Sequence, residues 1–353
     1  MTHRTAWTAA AMVVAVTLGG CRAGGEPAAD DPVVSAPPNP ALSSTALPTA
    51  VVGGPAPVAL RLETVVDGLD TVWDVDFDPD GTLWWTERGG RLTRLGSAPQ
   101  EIDGVDEEGE GGLMGLAFDR AGRPHVMFTG RSDNRVVRME GQRQTVLVDG
   151  IPKGGIHDGG RLAFGPAGEL YISTGDTGDT DLPQDDDSLA GKILRLDANS
   201  SDAVVHSKGH RNAQGLCFDG TGRLIATEHG PDRGDEVAVV GRGGNGGWPG
   251  TAGNGLKNYT PTIAPGGCAF YNAAAIPQWK GSLFFVTLKG RDLRRLTLDA
   301  SGAVIGEEVL YDGELGRLRD VAAGPDGFLY LATSNRDGRG DDRADKIVRV
   351  RPA

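Results

Sequence analysis

Between Gly209 and Glu236 the chain reads GHRNAQGLCFDGTGRLIATEHGPDRGDE, with polar residues gathered on both sides of short apolar runs. Arg211, Asn212 and Gln214 stand at one end; His229-Gly230-Pro231 and the acidic pair Asp235-Glu236 stand at the other. A guanidinium and two carboxamides suit an anionic, carbonyl-rich ligand. Backbone carbonyls at a Gly-Pro turn suit a hard cation such as calcium. Polar groups flanking a strand in this way form a binding rim on a β scaffold.

Other candidates lie outside that stretch. His157, in GGIHDGGRLAF, carries an imidazole that takes and releases a proton near neutral pH; the plainer alternative is a solvated loop histidine. Asp176, in STGDTGD, has the chemistry to orient such an imidazole, or to serve only as a turn residue. Arg317 and Arg319 alternate in GRLRDV, so on a strand both face one side. Two guanidinium groups on one face repel unless an anion lies between them. Lys289, in LKGRD, ends another apolar run. Together with Arg211 these cations define an anion site, unless each pairs with a nearby carboxylate. The acidic segment Asp176–Leu189 lacks the Gly and Glu positions of an EF-hand, so it reads as a solvated loop rather than a second calcium loop.

The elements that must position these groups follow from a repeat. DPDGTLWWTE from Asp78, DRAGRPHVMFTG from Asp119, GPAGELYISTGD from Gly165, DGTGRLIATEHG from Asp219, KGSLFFVTLKG from Lys280 and GPDGFLYLATSN from Gly324 share one pattern. Each is a glycine-containing turn, an alternating apolar run that predicts a half-buried strand, and a polar exit. Apolar strands precede most turns (VWDVDF, LMGLAF, QGLCF), and basic-apolar strands follow (RLTRL, KILRL, KIVRV). This recurrence predicts an all-β, six-bladed β-propeller. Strands at Ala59–Val66 and Lys346–Arg351 are expected to meet in one blade and close the ring. Closure would remove exposed strand edges. The polar exits then share one rim around the axis.

Composition agrees: 55 glycines among 353 residues suit a turn-rich β protein. The formal net charge of −13 argues against nucleic acid as a partner. Residues 1–20 read as a signal peptide, with Arg4, the apolar run Ala9–Leu18 and then Leu18-Gly19-Gly20-Cys21, which resembles a bacterial lipobox. Cys21 would carry the lipid and provide the only membrane attachment; a plain secretory signal is the alternative. Either reading exports the protein, to the outer face of the cell membrane or the periplasm. Residues 21–57, rich in Ala, Pro, Gly and Ser, are expected to be a flexible linker to a domain spanning 58–353. Cys217 and Cys268 sit in apolar runs (GLCF, GGCAFY) and read first as buried small apolar residues. A disulfide stays open in an exported protein.

The ordered set TERGGRL (86–92), GEGGLMGLAF (109–118), HDGGRLAFGP (157–166), STGD (173–176), SLAGKILRL (188–196), GHRNAQGL (209–216), TEHGPDRGDE (227–236), GGNGGWP (243–249), IAPGG (263–267), LKG (288–290) and GRLRDV (316–321) resembles the soluble PQQ-dependent sugar dehydrogenases. This is the glucose/sorbosone dehydrogenase family, and the match runs from about Leu69 to Arg351. The resemblance implies pyrroloquinoline quinone (PQQ) bound on the axis of a six-bladed propeller. It implies His157 as the base for the sugar hydroxyl, Asp176 as its orienting carboxylate, and Arg211 as the cation beside the reactive quinone carbonyl. Asn212, Lys289, Arg317 and Arg319 would hold the cofactor. The backbone oxygens of Gly230 and Pro231 would ligate Ca2+. Glu110, Gln214, Asp235 and Tyr259 would stand toward the substrate, an aldose oxidised at C1 to a lactone. Electrons would pass to an external acceptor, a quinone or a cytochrome.

The chain is short between Trp248 and Ile263, where glucose-oxidising members carry a long insertion. An aromatic lid would be reduced to Tyr259, which implies an open pocket, broad specificity and the aldose sugar dehydrogenase branch. Two further readings remain at this point: a calcium-dependent lactonase, whose sites cluster carboxylates on the axis, and a tethered, non-catalytic propeller that binds a glycan or a protein.

Overall fold

The computed structural model describes residues 58–197, 200, 202–250 and 255–353. The signal, the linker and Cys21 lie outside the described residues.

Six small sheets follow one another along the chain, each starting with an inner strand and stepping outward, antiparallel except where Val204–Lys208 pairs parallel with Gly244–Asn245. The inner strands are Val72–Phe77, Leu113–Phe118, Gly159–Phe164, Ala213–Phe218, Pro265–Tyr271 and Leu318–Ala323. The sixth sheet takes its outermost strand from the start of the domain: Leu60–Leu69 pairs antiparallel with Asp345–Pro352, Leu60 opposite Pro352. The propeller is therefore closed as expected, and the first and last strands protect each other's edges.

The repeated turn has a physical cause. Asp78 caps its own turn, accepting hydrogen bonds from Thr82 N (2.9 Å) and Trp84 Nε1 (2.9 Å), while Gly81 takes φ +81°. Asp119, Asp219 and Asp299 each bind the backbone N–H four residues on in the same way. A short acidic side chain thus replaces a backbone turn partner.

The second strands differ from expectation. Leu170–Thr174, Leu224–Glu228, Ser282–Thr287 and Leu329–Thr333 are buried along their whole length. Alternation implies one wet face, but neighbouring blades cover both faces. A threonine near the end of each second strand (Thr86, Thr129, Thr174, Thr227, Thr287, Thr333) is fully buried and donates its hydroxyl hydrogen bond inside the protein. These bonds fix the strand exits that carry the polar rim.

Cys217 and Cys268 form a disulfide between the inner strands of the fourth and fifth blades. Both are buried, as expected of small apolar residues, but they are joined rather than free.

Candidate active site

A cavity of about 570 Å³ opens where the inner strands begin and the second strands end. Into it the fold brings Glu110, His157, Arg211, Asn212, Gln214, Gly230, Pro231, Lys289, Arg317 and Arg319, residues from five of the six blades or the loops between them.

His157 occupies the left-handed region at φ +58°, a conformation that a non-glycine residue keeps only when its surroundings impose it. Glu110 Oε2 accepts its backbone N–H at 3.0 Å, and its carbonyl accepts from Thr177 N at 3.2 Å. Gly175 passes so close that a Cβ there would lie 1.7 Å from the His157 carbonyl oxygen. The imidazole Nδ1 is 2.7 Å from Asp176 Oδ1. An ionised carboxylate only accepts, so Nδ1 carries the proton and Nε2 keeps the lone pair. Burial pushes the Asp176 carboxyl up, but hydrogen bonds from His157, Gly178 and Trp248 outweigh it and hold the group below its ordinary range. Glu110 is held low as well: against burial stand the His157 N–H and the Arg339 guanidinium, which bonds its other oxygen.

The cations are unequally matched. Arg317 forks onto Asp337 at 2.6 and 2.9 Å and reaches the Leu288 carbonyl. Arg211 donates to the carbonyls of Gly230 (2.8 Å) and His229 (3.2 Å). Arg319 is half-buried; its Nη1 reaches Gln214 Oε1 at 2.7 Å, its Nε finds no partner, and burial, aided by Arg317, pulls it down to about 10. Among the described residues, neither Lys289 nor Arg319 has a carboxylate partner within 4.0 Å. Cations that line one cavity without such a partner suit an anionic ligand, and the unbonded Nε of half-buried Arg319 most of all. A second histidine, His229, lines the same cavity, but burial holds it well below the ordinary range and its Nε2 lies 3.0 Å from the Pro265 carbonyl. Of the two histidines that line the cavity, only His157 hydrogen-bonds a carboxylate.

Comparison with known proteins decides the family. The glucose/sorbosone dehydrogenase profile matches residues 69–349. The chain belongs to the glucose/sorbosone dehydrogenase family. Aldose sugar dehydrogenase YliI of Escherichia coli is 30% identical, over 80% of this chain and 92% of that protein. Quinoprotein glucose dehydrogenase B of Acinetobacter calcoaceticus is 26% identical, over 72% of this chain and 81% of that protein. The PQQ-bound form of aldose sugar dehydrogenase from Streptomyces coelicolor superposes with a TM-score of 0.72 at 34% identity, covering 83% of this chain and 99% of that one.

Within this family member, two residues expected to face substrate, Tyr259 and Asp235, are placed away from the cavity, and Gln214 is engaged within the protein. Tyr259 ends the outermost strand of the fourth blade, Lys257–Tyr259, and its ring is buried 5.7 Å from Phe285 with Arg294 over its face. It forms no lid. Asp235 is fully buried and saturated by Gly230 N, Ile263 N, Ala264 N and the Thr262 hydroxyl. It fixes the Gly230–Pro231 turn against the next blade. Gln214 does reach the cavity, but its carboxamide is engaged by Gly159 O, Asn212 Oδ1 and Arg319. It aims Arg319. Asn212 is likewise held, accepting from Gly159 N and Gln214.

Sequence reasoning missed Trp73 and Arg339, which line the cavity, Asp337, which matches Arg317, and Trp248 behind Arg211. Trp248 stood inside the GGNGGWP landmark, a signal available but unread.

Proposed function

We propose that this protein oxidises aldoses at the C1 hydroxyl to lactones, with PQQ as cofactor and His157 as base. The observation that carries the reading is the pairing of a carboxylate-oriented imidazole with cations that lack a carboxylate partner, half-buried Arg319 and exposed Lys289, in one cavity. The cavity volume lies in the range of small-molecule sites, and the orphan Arg319 Nε matches a carboxylate-bearing cofactor. Lys289, Arg317 and Arg319 would hold its carboxylates, with Asn212 and Arg211 nearer the reacting end. When bound, PQQ would supply the two-electron, hydride-accepting chemistry.

The protein's own part is proton handling and charge. His157 Nε2 takes the C1 hydroxyl proton as the C1 hydrogen departs with its electron pair. Asp176 stabilises the imidazolium through Nδ1. Arg211 places positive charge where negative charge develops. Tyr259 is turned into the blade and does not narrow the mouth, which supports broad acceptance of aldoses. The electrons then pass to an external acceptor, a quinone or a cytochrome.

Calcium fits only conditionally. The protein offers the carbonyls of Gly230 and Pro231, the first already accepting from Arg211. Among the described residues no three His, Cys, Asp or Glu side chains gather to hold a metal. Calcium needs six or more oxygens, so it should bind weakly alone and tightly only with the cofactor. Export and lipidation at Cys21 are proposed from the leader alone; Cys21→Ser should release the protein from membranes.

The test is titration of the purified protein with PQQ, with and without calcium, followed by dye reduction with a panel of aldoses. Stoichiometric binding and sugar-dependent reduction are expected. His157→Gln should lose about 1,000-fold or more in turnover while PQQ binding changes little. Failure to bind PQQ under any calcium concentration, or full turnover in His157→Gln, overturns the reading.

A further inference from the structure

Trp248 touches both halves of the catalytic apparatus. Its indole Nε1 donates to Asp176 Oδ2 at 2.8 Å, while Asp176 Oδ1 faces His157 Nδ1. Its ring lies under the Arg211 guanidinium, 5.5 Å from ring centroid to Cζ. The loop that carries it is pinned: Trp248 N donates to Gly209 O at 3.0 Å, and Gln184 Nε2 donates to the Trp248 carbonyl at 2.7 Å. Asp176 N in turn donates to the Arg211 carbonyl at 2.8 Å. One side chain therefore meets the carboxylate behind the base and the cation across from it, although these arise in different blades.

We infer that Trp248 is a positioning residue that sets the basicity of the His157–Asp176 pair and holds Arg211 in register with it. The inference rests on the functional reading above for what the pair does, but not for whether the coupling exists. The physical argument is a division of charge. A carboxylate that accepts an indole N–H is a weaker base toward its other partner. Without that donor, more of the Asp176 charge is available to a protonated His157, and the imidazolium is stabilised. Trp248 thus keeps the imidazole free to accept a proton at lower pH. Its aromatic face separately keeps the guanidinium from swinging toward solvent.

The charged groups facing His157 are Asp176 on one side and Glu110 beneath its backbone; Arg211 and Asp158 stand on the adjoining strand starts. None is altered in Trp248→Phe, which keeps an aromatic face, though a smaller one, and removes the N–H donor.

The experiment is an NMR titration of the His157 ring in cofactor-free full-length protein, wild type against Trp248→Phe. The midpoint should rise by about half a pH unit or more in the variant. In the PQQ-loaded enzyme, the acid limb of the kcat/KM profile should move up by the same amount. Trp248→Leu, which also loses the aromatic face, should lower kcat further without an additional shift of the limb. A merely structural role would lower the melting temperature and leave the midpoint in place. Should Trp248→Phe fail to fold, Gln184→Ala loosens the same loop without touching Asp176 and should move the midpoint in the same direction. An unmoved midpoint in a folded variant overturns the inference even if sugars are oxidised. A moved midpoint in a protein that oxidises no sugar upholds it and sinks the functional reading instead.

Discussion

The two ends of the axial channel handle charge in opposite ways. At the active-site end, cations outnumber the carboxylates they meet: Arg319 and Lys289 have no acidic partner among the described residues, and Glu110 and Asp176 are held below their ordinary range. At the other end a cavity of about 640 Å³ is lined by Asp74, Asp76, Asp119 and Asp320, with exposed Arg120 and buried Arg161. Arg161 Nη1 reaches Asp74 at 2.8 Å and Asp320 at 3.0 Å, its Nε donates to the Gln214 carbonyl, and its guanidinium lies 4.6 Å from the Trp73 ring. Burial pushes Asp74 well above its ordinary range and Asp76 up to about 7, Asp320 adding to both. One end is charge-balanced from within. The other is arranged so that an anionic ligand completes it, and this contrast separates a structural ion cluster from a binding site better than burial does. It also bears on the lactonase reading: carboxylates do gather on the axis, but Arg161 already stands among them.

The comparison breaks most visibly at Arg161. Replacement by Met leaves Asp74 and Asp320 buried without their cation. The expected loss is about 3 kcal/mol or more in urea unfolding at pH 7, and it should shrink toward pH 5 as the pair takes up a proton. A variant as stable as wild type at pH 7 would show that the lower cluster is not internally balanced by Arg161.

Arg319→Met is the matching change at the active-site end, and its effect should fall on the ligand instead. The cofactor-free protein loses a half-buried, incompletely bonded cation and keeps the side chain's bulk, so stability should hold or rise slightly. Affinity for PQQ should fall by about 2 kcal/mol or more, roughly 30-fold, read by quenching of intrinsic fluorescence. Equal losses of stability in both arginine variants would erase the distinction between the two ends.

How far this was legible before the fold was known depended on range. The six blades were readable because each turn is local: an Asp or Gly-Pro start in five and Lys280 in the sixth, a glycine at positive φ, then an apolar run. Ring closure followed from one spare strand at each end. Convergence of His157, Asp176, Arg211, Lys289, Arg317 and Arg319 followed from their shared position at strand starts and exits. The misread features all depend on what lies across a blade boundary. Full burial of the second strands comes from the neighbouring sheet, not from the strand. Tyr259 faces inward because Lys257–Tyr259 becomes an outermost strand, which no local pattern announced. Asp235 and Gln214 carry the right chemistry for a ligand, but backbone N–H groups and Arg319 already consume it. The Cys217–Cys268 bond joins strands 51 residues apart, with nothing in either flanking sequence to mark it.

The smallest expected effect is the most specific test of the contrast, because it concerns the sign of a pH dependence. Asp76, partly exposed in the lower cavity, is raised to about 7 by burial and by Asp320, against hydrogen bonds from Phe77 and Phe118. In the unfolded chain it releases its proton near pH 4. Between about 4 and 7 the folded state therefore binds a proton that the unfolded state has lost, and stability falls as pH rises through that window, then levels off. Asp76→Asn removes this slope. It should be close to neutral at pH 4.5 and stabilising by about 1 kcal/mol or more at pH 8. Asp176 has the opposite sign: its carboxyl is held low, so it contributes stability above its ordinary value that is lost as pH falls through the folded value. Asp176→Asn should accordingly cost stability at pH 7 and little near pH 3. Unfolding curves for the two variants, plotted as differences from wild type, should diverge as pH rises from 3 to 8. Parallel curves would mean that the two ends of the channel treat their carboxylates alike.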